Sequence, residues 1–520
     1  MKLKTAFVSA LIFITGFASA QKVESPANCS IKVIADQPGA TISKDIYGHF
    51  AEHLGHCIYE GIWVGKDSKI PNTDGIRNDV VKALRDMKIP NLRWPGGCFA
   101  DTYHWRDGLG PASERPSIIN TNWGGVTEDN SFGTHEFMKL IDLLGCDPYI
   151  TGNLGSGTVQ EMAQWVEYLT SDNKSPMTDL RKKNGREKAW KAQNFGIGNE
   201  TWGCGGSMTP EYYTNELRRY ANFVHNYSGN QMKRIACGPN SDDYNWTETL
   251  MKDDGARWAM QGLSLHFYTV PDGWDKKGSA SSFTEKNWIH SFATTMHMEE
   301  LITKHSAIMD KYDPDKNIFL AVDEWGAWYD VEPGTNPGFL YQQNSLRDGL
   351  LAAINLDIFN KHADRVKMAN IAQTVNVLQS VILTDKEKMV LTPTYYVFKM
   401  MAVHQDAKLL PSTIKCEQYK LETDSIPSVS YSVSRSADGK IHLTVANLYA
   451  SRGQKVSCDL TNFKIKKASG EILSSANITD CNTFDKPDVV VPKPFTAFKI
   501  NNNAIELQMP AKSFVVLEIE

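Results

Sequence analysis

Two glutamates stand where apolar runs end. One closes "NFGIGNETWG" (Asn194 to Gly203) as the pair Asn199-Glu200, and the other lies in "NIFLAVDEWGAWY" (from Asn317) as Asp323-Glu324. Burying an ionised Glu costs several kcal/mol unless it is paired or hydrogen-bonded, so two such placements point to a built site rather than to packing. A facing pair of carboxylates suits glycosidic-bond cleavage. One, held protonated, donates to the leaving oxygen, and the other, ionised, attacks the sugar or activates water.

Other chemistries lack their signatures. There is no Ser in an elbow motif, no HExxH and no phosphate-cradling GxxxxGK. The 9 Cys are scattered without a CxxC pair, which argues against a zinc or iron–sulfur site. No metal and no cofactor are therefore expected. An odd count leaves at least one thiol free, and Cys416, Cys458 and Cys481 share the C-terminal region without an assignable pairing.

Positioning those carboxylates needs a scaffold, and the chain supplies one between about residues 46 and 401. Eight short apolar runs alternate with helix-period stretches: "IYGHFAEHLG", "NLRWPGG", "DPYITGN", "NFGIGNE", "RIACGPN", "GLSLHFY", "NIFLAVDEW" and "VKMANIAQ". Eight parallel strands close a (β/α)8 TIM barrel, an α/β fold. Between them, "GIRNDVVKALRDM" and "TVQEMAQWVEYL" repeat apolar residues at three- and four-residue steps, as outer helices do. From residue 402 to 520 the texture changes: "SVSYSVSRSADGKIHLTVANLY" reads as a hairpin turning at Asp438-Gly439, so a C-terminal β-sandwich of jelly-roll type is expected. Residues 21–45 hold a lone strand, "CSIKVIAD", expected to join that sandwich.

In such barrels the site is built at the C-terminal strand ends. That rule selects Glu52 and His53, Arg93 and Cys98, Asn153, Asn199 and Glu200, Asn240, His266 and Tyr268, Asp323 and Glu324, and Gln373, strand by strand. On the sixth run, Gly262, Ser264, His266 and Tyr268 share one face and Leu263, Leu265 and Phe267 the other, so the polar face should point inward. Trp94, Trp105, Trp202, Trp325 and Trp328 are candidates to stack on a sugar.

A net charge of -5 over 520 residues, with no long basic run, indicates neither nucleic acid nor an anionic membrane as partner. Residues 1–20 have the layout of a signal peptide, with Lys2 and Lys4 before an apolar segment and Ala18-Ser19-Ala20 after it. The segment is shorter than the ~20 apolar residues that span a bilayer. The expectation is cleavage before Gln21 and a soluble mature protein, periplasmic or extracellular.

Taken in order, "GHFAEHLG" with "IYEGIWVG", "NLRWPGGCFADTYHWRDGLGP", "GIGNETWG", "LSLHFYT", "VDEWGAWY" and "NIAQTVNVLQ" resemble the motif series of glycoside hydrolase family 51, the α-L-arabinofuranosidases. The resemblance implies a retaining double displacement that frees terminal α-L-arabinofuranosyl groups from arabinan or arabinoxylan fragments. It implies Glu200 as acid/base and Glu324 as nucleophile. Asn199 would bind the sugar 2-hydroxyl, Glu52, Cys98, His266, Tyr268 and Gln373 would contact the sugar or flank the nucleophile, and Arg93, Trp202 and Trp328 would support them. Cys98 departs from the family pattern, which often has Asn there, and as a thiol it would be a weak hydrogen-bond partner. Rival readings are another clan A glycosidase of endo-glucanase or xylanase type, and a carbohydrate-binding barrel without catalysis. Self-association into a homo-oligomer is left open.

Overall fold

The computed structural model describes residues 25–520; the signal-peptide expectation falls on residues outside the described ones. The eight apolar runs form a closed barrel of strands Gly48–Phe50, Asn91–Trp94, Asp147–Gly152, Asn194–Ile197, Lys233–Ala236, Gly262–Thr269, Phe319–Ala327 and Val366–Ala372, each parallel to its neighbours. Covered by helices outside and side chains inside, parallel strands are buried on both faces. The seventh, "FLAVDEWGA", accordingly has every residue buried. Helix Asn78–Asp86 buries Val80 and Leu84 against the barrel, and helix Val159–Thr170 starts where the Thr158 side chain accepts from the Glu161 amide.

The second layer is a pair of antiparallel-rich sheets. The strand Ala27–Ile34 sits inside the five-stranded sheet, between Ser412–Cys416 and Gln454–Thr461. The hairpin Val429–Arg435/Ile441–Asn447 lies in the six-stranded sheet beside the final strand Ser513–Ile519. Ile31, Val33, Leu443, Leu507 and Leu517 fill the space between the sheets. Cys29 and Cys416, register partners across two strands, form a disulfide, whereas Cys458 and Cys481 are free. Among the described residues no helix is long and apolar enough to cross a membrane.

Helix Leu346–Lys361 joins the two layers and is buried along nearly its whole length. Its polar groups are answered from the sandwich: Ser430 and Ser432 donate to the two oxygens of Asp357, and Asn360 donates to Ser432 and to the Tyr47 hydroxyl. Burial raises the Asp357 carboxyl to about 7. The fold thus binds a proton there that the unfolded chain releases near the ordinary Asp value, so this contribution is complete at low pH and is lost as pH rises toward and through 7. Asp357→Asn, which mimics the protonated form, should therefore gain on the parent progressively between about pH 4 and about pH 7, by up to ~1.4 kcal/mol per pH unit, and level off above that. A melting difference that stays constant across that range would exclude Asp357 as the titrating group.

Candidate active site

The carboxylates meet at the C-terminal mouth of the barrel. Glu200 follows the fourth strand with a positive φ of 39°, a conformation that non-glycine residues adopt at a cost. Its position is fixed from below: Asp101 Oδ2 accepts from the Asn199 amide at 2.9 Å, while Oδ1 accepts from the Leu154 and Gly155 amides. Gly205 packs so tightly on this turn that a Cβ would stand 2.0 Å from the Asn199 carbonyl oxygen. Glu324 ends the apolar part of the seventh strand and pairs in register with His266 of the sixth.

Hydrogen bonds knit the two together. Glu324 accepts from Arg93 Nη1 at 2.7 Å and from the Tyr268 hydroxyl at 2.8 Å. His266 Nδ1 stands 2.9 Å from Glu200 Oε1 and 3.6 Å from Glu324 Oε2, and its Nε2 stands 3.2 Å from Asp323 Oδ1. One oxygen of each glutamate and a His266 nitrogen lie within 4.8 Å of one another. Arg93 Nη2 donates to Asn199 Oδ1 at 2.6 Å, which leaves the buried Asn199 Nδ2 without a partner among the described residues. Asn199 is buried and cannot serve as a surface glycan acceptor, although Asn199-Glu200-Thr201 matches that pattern.

Electrostatics separate the groups. Burial first, then the charge of Glu324, raises Glu200 above the ordinary carboxylate range. Burial would lower His266, but Glu324, Asp323 and Glu200 override it and raise the imidazole to about 10, so both ring nitrogens carry protons. Asp323 is held well below its usual value despite burial, because Arg93 and His266 face it and Ser264 donates to it. The Tyr149 hydroxyl also donates to Asp323, at 2.6 Å.

Glu52 forms the adjoining wall. It accepts from the Phe99 amide at 3.1 Å, Trp123 Nε1 at 2.9 Å and Gln373 Nε2 at 2.9 Å, and Gly97 lies so close that a Cβ would stand 2.9 Å from its oxygens. Burial, followed by the Glu324 charge, lifts this carboxyl to about 7.

Several expectations need correction. Cys98 is no thiol: it is bonded to Cys204, and the two sulfurs approach Glu200 Oε2 at 3.7 and 3.4 Å. A disulfide sulfur has no proton, so neither approach is a donated hydrogen bond. Trp94, Trp105 and Trp325 are core residues and cannot stack on a ligand. His53 is buried too, lowered to about 3 by that burial, and accepts from Trp94 Nε1. Trp202 is half-buried with Nε1 donating to the Gly238 carbonyl, Asn153 ties down its own loop through Ser156 and Gly157, and Asn240 is exposed at the rim. Trp328 stays at the site, edge-on to Tyr268 at 5.0 Å and to the exposed Trp274 at 5.3 Å. Sequence reasoning missed Asp101, Trp123, Tyr149, Cys204 and Trp274. Asp101, Trp123, Cys204 and Trp274 come from loops, turns or a single short 3-10 helix, where no periodicity marks an inward face, whereas Tyr149 lies inside the third strand, short of the C-terminal end that the barrel rule selects.

Residues 83–286 match the family model described as "Alpha-L-arabinofuranosidase 1 domain", and residues 323–513 match "Alpha-L-arabinofuranosidase C-terminal domain". A Bacteroides ovatus protein named "Intracellular exo-alpha-L-arabinofuranosidase" is 54% identical over 99% of this chain and 98% of its own length. The chain belongs to the α-L-arabinofuranosidases of glycoside hydrolase family 51. The crystal structure of the GH51 arabinofuranosidase from Xanthomonas axonopodis pv. citri superposes with a TM-score of 0.93 at 49% identity, covering 96% of this chain and 100% of that one. An α-L-arabinofuranosidase from Thermotoga maritima, solved as an arabinose complex, superposes with a TM-score of 0.83 at 30% identity, covering 95% of this chain and 100% of that one. The protein is thus a glycoside hydrolase of α-L-arabinofuranosidase activity, acting on a carbohydrate, with a TIM barrel and a separate C-terminal domain. The expectation of export is corrected by the Bacteroides ovatus relative, whose name places it inside the cell.

Proposed function

We propose that this arabinofuranosidase works by a retaining double displacement, with Glu324 as nucleophile and Glu200 as acid/base, on terminal non-reducing α-L-arabinofuranosyl groups. The observation that carries this reading is the Glu200–His266–Glu324 cluster, whose atoms lie within 4.8 Å, because a retaining pair stands ~5 to 5.5 Å apart and an inverting pair leaves room for a water. Glu324, charged and aligned by Arg93 and Tyr268, attacks the anomeric carbon. Glu200, kept protonated by burial and by the Glu324 charge, protonates the departing oxygen and then takes a proton from the incoming water. The unpartnered Asn199 Nδ2 is a donor for the sugar 2-hydroxyl, and the Glu52–Gln373 pair supplies acceptors and donors for the other hydroxyls. Trp328 with Tyr268 offers an aromatic edge, and Cys98 contributes no thiol.

Exo action and an intracellular place follow the Bacteroides ovatus relative's name, so the natural substrates are short arabinose-bearing oligosaccharides derived from arabinan or arabinoxylan.

Proton NMR of the first-formed product tests the stereochemistry. The α-anomer should appear before mutarotation; initial β-arabinofuranose would mean inversion and remove the covalent step.

A further inference from the structure

The disulfide Cys98–Cys204 links the loops after the second and fourth barrel strands and faces the same Glu200 oxygen with both sulfurs. The opposite oxygen of Glu200 is the one held by His266. One ligand atom each from Cys98, Glu200 and Cys204 lies within 4.8 Å of the others, and Cys204 is exposed, so a solvated ion has an entry path.

We propose that reduction of this disulfide converts the acid/base corner into a site for a thiophilic divalent cation such as Zn²⁺, which blocks the enzyme. The distances suit it. Around a tetrahedral zinc, with Zn–S about 2.3 Å and Zn–O about 2.1 Å, sulfur and oxygen ligands stand about 3.6 Å apart and two sulfurs about 3.8 Å apart. The sulfur-to-Oε2 separations of 3.7 and 3.4 Å already match, so after cleavage only the two sulfurs must part. Two thiolates and one carboxylate leave a fourth position for water and favour Zn²⁺ or Cd²⁺ over Mg²⁺ or Ca²⁺.

The chemistry balances with a dithiol as reductant: it closes to its own cyclic disulfide and delivers two hydrogens, giving Cys98–SH and Cys204–SH. Metal binding then releases both thiol protons and displaces the proton of Glu200. A reducing compartment, such as the one named for the Bacteroides ovatus relative, is where the dithiol form would persist. The neighbouring Glu200, His266 and Glu324 cluster is a poorer site. Both His266 nitrogens are engaged by carboxylates, so its ring presents no lone pair.

Inhibition rests on the acid/base reading of Glu200, whereas binding does not, and the experiment reads them separately. Enzyme reduced with a phosphine, which takes oxygen from water as the disulfide gains two hydrogens, is titrated with Zn²⁺ for activity and with Cd²⁺ for the thiolate charge-transfer absorption. Relative to the oxidised enzyme, the reduced form should gain one equivalent of Cd²⁺–thiolate absorption and be inhibited at a zinc concentration at least about tenfold lower; Cys204→Ser should lose both gains, as removal of a metal partner costs 10- to 100-fold or more. Cys29→Ser should keep them. Should Cys204→Ser fold poorly, alkylation of the reduced parent gives the same answer, with Zn²⁺ protecting Cys98 and Cys204 alone. Equal zinc sensitivity of oxidised and reduced enzyme, or full sensitivity in Cys204→Ser, would overturn the site. Cd²⁺ binding at these cysteines without inhibition would sustain the site and overturn the role of Glu200.

Discussion

Glu324→Ala should lower turnover of an aryl α-L-arabinofuranoside by about 10⁴-fold or more, equivalent to at least ~5 kcal/mol of transition-state stabilisation. In the proposed double displacement the carboxylate forms the covalent bond and faces the positive charge that develops on the sugar ring, so its loss removes both contributions. Its surroundings make the residue hard to replace: Arg93 and Tyr268 present donors at 2.7 and 2.8 Å, and neither can attack carbon. Azide separates loss of the nucleophile from loss of the fold. In the vacated space a small anion should attack directly and restore turnover, giving the β-arabinofuranosyl azide. Wild-type-like rates in Glu324→Ala, or an α-azide, would remove it as nucleophile.

The two glutamates are legible in the sequence because the barrel imposes a periodicity that sequence shows. Each strand must be apolar on both faces and then release its last residues to the mouth, so Glu200 and Glu324 stand out as charges where apolar runs stop. The sixth strand was legible to the side chain: Ser264, His266 and Tyr268 do face Asp323, Glu200 and Glu324, while Leu263 and Leu265 pack outward.

Residues supplied by irregular backbone were not legible. Trp123 lies in the long excursion between the second strand and the helix Thr134–Leu144, and it reaches Glu52 only because that loop folds back over the mouth. Cys204 sits 106 residues from its partner, and nothing in its spacing distinguishes it from the free cysteines. Trp94 and Trp325 misled in the opposite direction. Flanking functional residues in sequence, they alternate to the outer face and pack into the core, Trp94 on Phe137 and Trp325 on Phe359 and Phe398. Neighbours along a strand point to opposite faces, so adjacency to Arg93 or Glu324 does not bring a side chain to the mouth.

Glu200→Ala tests the other half of the scheme and should leave a different kinetic imprint. A leaving group as acidic as dinitrophenol needs no proton, so formation of the glycosyl-enzyme should stay within about tenfold of the parent, while natural arabinosides, whose alkoxide must be protonated, should lose about 10³-fold or more. The second step then lacks a general base, so the covalent intermediate accumulates and KM for the activated substrate falls along with kcat. Azide, which needs no deprotonation, should relieve that step and yield the α-azide, opposite to the product of Glu324→Ala. The pH profile gives an independent reading. Burial and the Glu324 charge raise Glu200, so the parent is active while this carboxyl holds its proton and declines as pH rises through its raised value. His266, raised to about 10, stays cationic over that range and cannot account for the decline. With the activated substrate, Glu200→Ala should lose this alkaline limb. An unchanged alkaline limb would assign it to another group, with Glu52, raised to about 7 beside the sugar site, the first to be tested.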